Sequence, residues 1–105
     1  MLDLFPDETE KLQYIEDTAR KTAAEFGFGE IRTPVLESTE LFARGVGNTT
    51  DVVQKEMYTF IDRDGPSLSL RPEGTSGVAR AIIESGKYGD AMPLKYYYII
   101  NCYRH

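Results

Sequence analysis

At 105 residues the chain has room for one modest hydrophobic core. Its hydrophobic (41%) and charged (28%) fractions exclude a disordered tail, and a net charge of -5 without clustered Lys or Arg excludes a self-sufficient nucleic-acid-binding surface. The single cysteine, Cys102, excludes an internal disulfide, and no apolar run is long enough to cross a bilayer as a helix, so the expectation is a cytoplasmic protein with no membrane partner.

Taken in order, Pro6-Asp7-Glu8-Thr9-Glu10 reads as a helix start. Asp7 is the expected N-terminal cap, and Glu10, three places on, would close a capping box. Leu12, Ile15, Ala19, Ala23 and Phe26 then recur at helical spacing, and Gly27 is placed to end the helix. Such a stripe serves a core or a partner's helix more often than chemistry. Glu30 to Leu36 is rich in β-branched residues and predicts a strand. Pro34 lacks a donor, so this strand belongs at an edge or carries an irregularity. A short helix is expected from Thr39 to Arg44, ended by Gly45 and Gly47, with a loop and a helical turn from Asn48 to Glu56.

Met57 to Asp62 and Ser67 to Arg71 predict two strands around Arg63-Asp64-Gly65-Pro66, whose Asp-Gly pair supports a hairpin. Thr75 to Ser85 predicts a helix with Val78, Ala81 and Ile82 inward and Gly86 as its stop. Leu94 to Tyr103 predicts a last strand, apolar enough to be buried on both faces. The fold class that follows is α+β, a mainly antiparallel sheet flanked by helices; a mixed α/β sheet is the alternative. The final YYYIINCYRH stops inside a strand-like run without turn or cap. The expectation is therefore a single partial domain, residues 1–105, of a longer protein.

The chemistry concentrates in Arg71-Pro72-Glu73-Gly74-Thr75. One reading is a strand-to-helix loop in which Pro72 stiffens the chain, Gly74 supplies an unusual dihedral, Thr75 caps the helix and Glu73 complements its dipole. The other is a binding site, because a carboxylate beside a hydroxyl can grip an ammonium while a glycine admits close approach. Arg104, at the end of an apolar strand, either pairs with a structural carboxylate or offers its planar fork to a phosphate or carboxylate. His105 is the sole histidine, which argues against histidine-based nucleophilic catalysis and excludes a multi-histidine metal site. Cys102 reads as a small core residue, and Tyr96, Tyr97 and Tyr98 as sheet packing. No phosphate-binding GxxxxGK[ST] or GxGxxG occurs.

These segments, in this order, resemble the N-terminal part of the catalytic domain of the histidyl-tRNA synthetases, which are class II aminoacyl-tRNA synthetases. FGFGEIRTPVLE is similar to class II motif 1, with Pro34 at its proline. ELFARGVGNTTDVVQKEMYTFIDRDG followed by LSLRPEGT resembles the stretch peculiar to the histidine enzyme. YYYIINCYRH resembles the opening strand of motif 2, with Arg104 at its arginine. The chain starts inside the family's usual N-terminal segment and stops before the rest of motif 2, motif 3 and the anticodon-binding domain. Ile100, Asn101 and Cys102 stand where many relatives have glycine, proline and methionine.

The resemblance implies a partial class II catalytic domain from a histidine--tRNA ligase. Such an enzyme joins histidine and ATP into histidyl-adenylate and passes the histidine to tRNA(His). It implies that Glu73 and Thr75, with Gly74 between them, hold the amino group of histidine. Arg104 would contact both the ATP α-phosphate and the histidine carboxylate, and would be the catalytic residue. Pro34 and its motif 1 neighbours would lie at a homodimer interface. ATP enters as a substrate with Mg²⁺, with no prosthetic group and no metal ligand in this segment. Alone, the segment is expected to be inactive. Two other readings remain open: a synthetase-like regulatory subunit of histidine biosynthesis, and a non-catalytic dimerisation module.

Overall fold

The computed structural model describes residues 2–43, 55–89 and 93–105. The expected glycine stops at Gly45 and Gly47, and most of the loop from Asn48, lie outside them. The chain divides into two compact units, Met1–Ile31 with Lys95–Ile99 and Arg32–Leu94 with Ile100–His105.

The first unit is built on helix α1, Pro6–Glu25. Pro6 occupies the opening of the helix, where a missing N–H costs nothing and a fixed φ is already helical. The N-cap is Phe5, without a side-chain cap bond; its carbonyl accepts the N–H groups of Glu8 at 2.8 Å and Thr9 at 2.9 Å. The expected Asp7 cap is thus corrected. Proline commits the backbone one residue earlier, and Asp7 lies inside the first turn, where its charge complements the dipole. Gly27 ends the helix as expected, at φ 81°. Its N–H donates to Ala24 at 3.1 Å and that of Phe28 to Ala23 at 2.9 Å, the paired bonds of a Schellman motif.

After this turn, strand β1, Gly29–Glu30, pairs in parallel with the strand Tyr96–Tyr97 near the C-terminus. The N–H groups of Gly29 and Ile31 donate to Lys95 and Tyr97, each at 3.0 Å. Lys95 ties the pair to the helix end: Nζ donates to the Phe26 carbonyl at 3.3 Å and sits 5.8 Å from the centre of the Phe28 ring.

The second unit holds a three-stranded antiparallel sheet. Strand β2 is Leu36–Ser38, helix α2 is Thr39–Ala43, and strands β3 and β4 are Thr59–Ile61 and Ser67–Leu70. Strand β4 is central, with Glu37 and Thr59 both opposite Ser69, and Leu36 opposite Leu70. The hairpin forms as predicted: the Gly65 N–H donates to Asp62 at 3.1 Å and the Asp62 N–H to Pro66 at 3.3 Å. Helix α3 spans Thr75–Ser85, the predicted limits, and Gly86 closes it at φ 75°. Val78, Ala81 and Ile82 are half-buried, and a short 3₁₀ turn, Lys87–Gly89, follows.

Two strand expectations change. Glu30 to Leu36 is not one strand; the chain leaves the β1 pairing after Ile31 and re-enters a sheet at Leu36. Pro34 has no N–H for a ladder, and the Thr33 carbonyl accepts a side-chain bond instead, from Arg71 Nη1 at 3.0 Å. Leu94 to Tyr103 is strand only at Tyr96–Tyr97, henceforth β5, and is not buried on both faces. From Ile100 onward its bonds pass to the second unit, where the N–H groups of Tyr103 and His105 donate to Arg71 and Glu56, both at 2.9 Å. Cys102 falls on the outward side of this run and is exposed, so it is not a core residue.

Candidate functional site at the turn into α3

The turn Arg71–Gly74 leaves the central strand β4 and enters α3 directly. Pro72 is fully buried beneath it, and Gly74, also buried, is the N-cap with φ -100° and ψ -22°. This dihedral is open to any residue, so Gly74 is not required for an unusual backbone shape. Nor does Thr75 cap the helix, because it is the first helical residue.

The capping group is the Glu73 carboxylate. Its Oε2 accepts the Thr75 N–H at 2.6 Å, and the Ser76 N–H lies 3.2 and 3.3 Å from Oε1 and Oε2. A negative charge there meets the positive end of the helix dipole and satisfies donors that have no partner within the helix. The carboxylate is consequently held in one orientation. An ionised carboxylate has about four acceptor positions, so the two donors leave capacity for a further cation. The Thr75 side chain is exposed beside it.

Arg104 reaches the same turn from the C-terminal segment. Its Nε donates to the Pro72 carbonyl at 3.0 Å. Among the described residues, its terminal guanidinium nitrogens make no further bond, and neither Arg104 nor Glu73 belongs to an ion pair. The structure thus places Glu73, Gly74 and Thr75 on one turn, with the Glu73 carboxylate held by the helix amides, and ties Arg104 to that turn by its bond to Pro72. It does not bring Pro34 into this group through any bond; Pro34 is exposed.

Three residues that hold this arrangement have roles that the sequence did not reveal, although Arg71 belongs to the stretch singled out there. Arg71 is 8% exposed, and its Nε and Nη1 donate to the carbonyls of Asn101 and Thr33 at 2.9 and 3.0 Å. Glu37, buried in β2, accepts Arg80 Nε at 3.0 Å, while Arg80 Nη1 donates to Glu84 at 2.7 Å. Burial works to lower the Arg80 pKa, but bonds and charge from Glu37 and Glu84 outweigh it and leave that pKa raised. The third is Gly77. A Cβ there would lie 3.0 Å from Glu37 Oε2 and 3.3 Å from Thr33 Oγ1, so any larger residue would require those side chains to give by a few tenths of an ångström. Each depends on a partner at least 30 positions away, and only the glycine within α3 is a local signal.

Among the described residues no three His, Cys, Asp or Glu side chains come together in a way that could hold a metal ion.

A family model described as histidyl-tRNA synthetase matches residues 1–105. The histidine--tRNA ligases of Clostridium perfringens and Geobacillus thermodenitrificans are 55% and 56% identical over 103 and 104 residues. Each match covers 98% of this chain but only 25% and 24% of the relative. The apo histidyl-tRNA synthetase of S. aureus superposes with a TM-score of 0.78 at 40% identity, covering 93% of this chain and 26% of that one. A Bacillus halodurans structure described as an ATP phosphoribosyltransferase regulatory subunit/histidyl-tRNA synthetase gives 0.81 at 30% identity, covering 99% and 26%. The chain therefore spans about a quarter of the length of these relatives.

Proposed function

The chain belongs to the histidyl-tRNA synthetase family, and we propose that it forms part of a class II histidine--tRNA ligase, as one partial domain that supplies half of the adenylation site. The protein as a whole would activate histidine with ATP and pass it to tRNA(His), in the cytoplasm and as a homodimer in which Pro34 and its neighbours lie at the interface.

The observation that carries this reading is the Glu73 carboxylate anchored on the turn together with the Arg104 guanidinium bonded to the same turn at Pro72. Adenylation brings two anions together, because the histidine carboxylate attacks the ATP α-phosphorus and expels pyrophosphate. A site for this reaction has to hold histidine by its cationic end and oppose the charge at its anionic end. Glu73, already oriented by the α3 amides, accepts the ammonium; Thr75 adds a hydroxyl beside it. Arg104 donates to the α-phosphate and the carboxylate, stabilising the negative charge that builds as the new P–O bond forms. Holding both reactants in line lowers the entropic part of the barrier. The reaction needs no nucleophile or general base from the segment, because the substrate carboxylate is itself the nucleophile. Mg²⁺ would travel with the ATP phosphates.

The regulatory reading is not favoured: relatives at 53–56% identity carry the ligase name, whereas the structure whose description includes a regulatory subunit is 30% identical. The deciding experiment is histidine-dependent ATP–pyrophosphate exchange by a full-length protein containing this segment, compared with its Glu73→Gln and Arg104→Ala variants. We expect a loss on the order of a hundredfold for each, the scale of removing one charge-stabilising donor at Arg104 and, at Glu73, the one charge that opposes the histidine ammonium. Exchange left intact by both substitutions would refute the site. The 105-residue chain alone is expected to show no exchange.

A further inference from the structure

We infer that Arg71 is a positioning residue of this site: it sets where Arg104 stands relative to Glu73. The inference rests on the reading given above and adds a residue to it.

Arg71 follows the last residue of β4 and joins three pieces of chain at once. Its backbone N–H donates to the Val35 carbonyl at 2.9 Å, and its carbonyl accepts the Tyr103 N–H at 2.9 Å. Its side chain repeats the same bridge, with Nε on Asn101 and Nη1 on Thr33. Two residues just ahead of Arg104 are thereby bound to the strand-to-turn junction, Asn101 by the Arg71 side chain and Tyr103 by its main chain. Arg104 itself contributes a single bond, to Pro72. One bond leaves an exposed side chain free to pivot; the Arg71 bonds fix the backbone from which it extends.

The grip on Glu73 is different in kind. Its bonds run to residues two and three places ahead, so they belong to the helix start and survive the loss of Arg71. Replacing the Arg71 side chain would leave the histidine end of the site and the main-chain bond to Tyr103 in place, while the bonds to Asn101 and Thr33 are lost and the segment leading to Arg104 is loosened at the phosphate end. The guanidinium is suited to this because its planar fork can satisfy two carbonyls lying in different directions, which a lysine ammonium does with far less geometric control. Among the described residues, moreover, no carboxylate pairs with this buried cation. Burying an unpaired charge costs stability, so the return lies in geometry rather than in net folding energy.

The test uses a full-length histidine--tRNA ligase containing this segment, with Arg71→Lys and Arg71→Met. Exchange rates are divided by active sites counted from the adenylate burst, and histidine binding is measured by calorimetry. Both variants are expected to lose on the order of a hundredfold in rate per site, the effect of a misplacement of about 1 Å. Their histidine Kd should stay within about threefold of the parent. A per-site rate within about twofold of the parent overturns the inference, as does a loss of rate matched by an equal loss of histidine affinity. Failure of both variants to yield folded protein also overturns it, since Arg71 would then be a residue of the fold. If Glu73→Gln and Arg104→Ala leave exchange intact, the site reading itself fails; if they abolish it while Arg71 variants keep their rate, only this inference does.

Discussion

Ile15 in α1 and Phe26 just past its end stand 61% and 66% exposed and no residue of the helix is buried, whereas in the three-stranded sheet Ser69 is fully buried and Glu37 is 8% exposed. The helix unit displays its apolar side chains and the sheet unit encloses polar ones. On the covered face of the sheet, Thr39 Oγ1 bonds Ser67 and Ser69 at 2.7 and 2.9 Å, and Ser69 bonds Thr59 at 2.8 Å. Among the described residues no buried side-chain polar atom lacks a partner. Satisfied hydroxyl and ion-pair networks add modest net stability but strongly favour one arrangement over its neighbours. The unit carrying the candidate site is thus specified by directional bonds, and the α1 unit by a turn and a short strand pair.

The contrast breaks if the sheet unit tolerates truncation as readily as α1 does. Phe42, 3% exposed, and Met57 are the buried hydrophobic residues among those described. Phe42→Ala should therefore have the largest effect, about 3–5 kcal/mol, read as a fall in the denaturant midpoint of the chain. A loss under about 1 kcal/mol would mean that the unit is held by its polar network alone.

Gly77→Ala comes next. In an exposed helix this change gains about 1 kcal/mol from helix propensity. Here the new Cβ would meet Glu37 Oε2 at 3.0 Å, the same oxygen that accepts Arg80 Nε at 3.0 Å. Glu37 cannot retreat without loosening that bond, so a net loss of about 1–2 kcal/mol is expected. Pairing the change with Arg80→Met tests the reason: with the carboxylate unpinned, the two losses should not add.

What local patterns could and could not foretell follows the same division. The α3 limits, the Gly27 stop and the Asp-Gly hairpin were legible because proline, glycine and turn pairs act over a few residues. The break of the expected strand at Pro34 was foreshadowed by the missing donor. That its halves join different sheets was not, because the partners lie at Tyr96 and Leu70. Glu73 was legible twice, as helix complement and as ammonium grip; the structure bears out the first, through the Thr75 and Ser76 amides, and the second is the role proposed above. Arg71 was invisible as an anchor, since its carbonyl partners are backbone atoms that any residue type would supply.

Ser69→Ala probes the network more gently. It deletes the central hydroxyl and leaves Thr39 and Thr59 each short of one bond, at a cost of about 1–2 kcal/mol. A neutral result would show that water replaces the hydroxyl and that the covered face is wetter than its burial implies.

The smallest effect is expected on α1. Ile15 lines a shallow apolar groove of about 570 Å³ with Ala19, Ala23, Phe26, Phe28 and Tyr97. Because Ile15 is mostly exposed already, Ile15→Ser removes little buried area, and the chain's denaturant midpoint should move by no more than about 0.5 kcal/mol. Self-association should respond instead, since an apolar face this open is a liability that a second surface would cover. Light scattering of the 105-residue chain and its Ile15→Ser variant separates the two quantities. Reduced association at unchanged stability would support the contrast between the units. A stability loss above about 1.5 kcal/mol would show that α1 is packed in solution as tightly as the sheet, and would erase it.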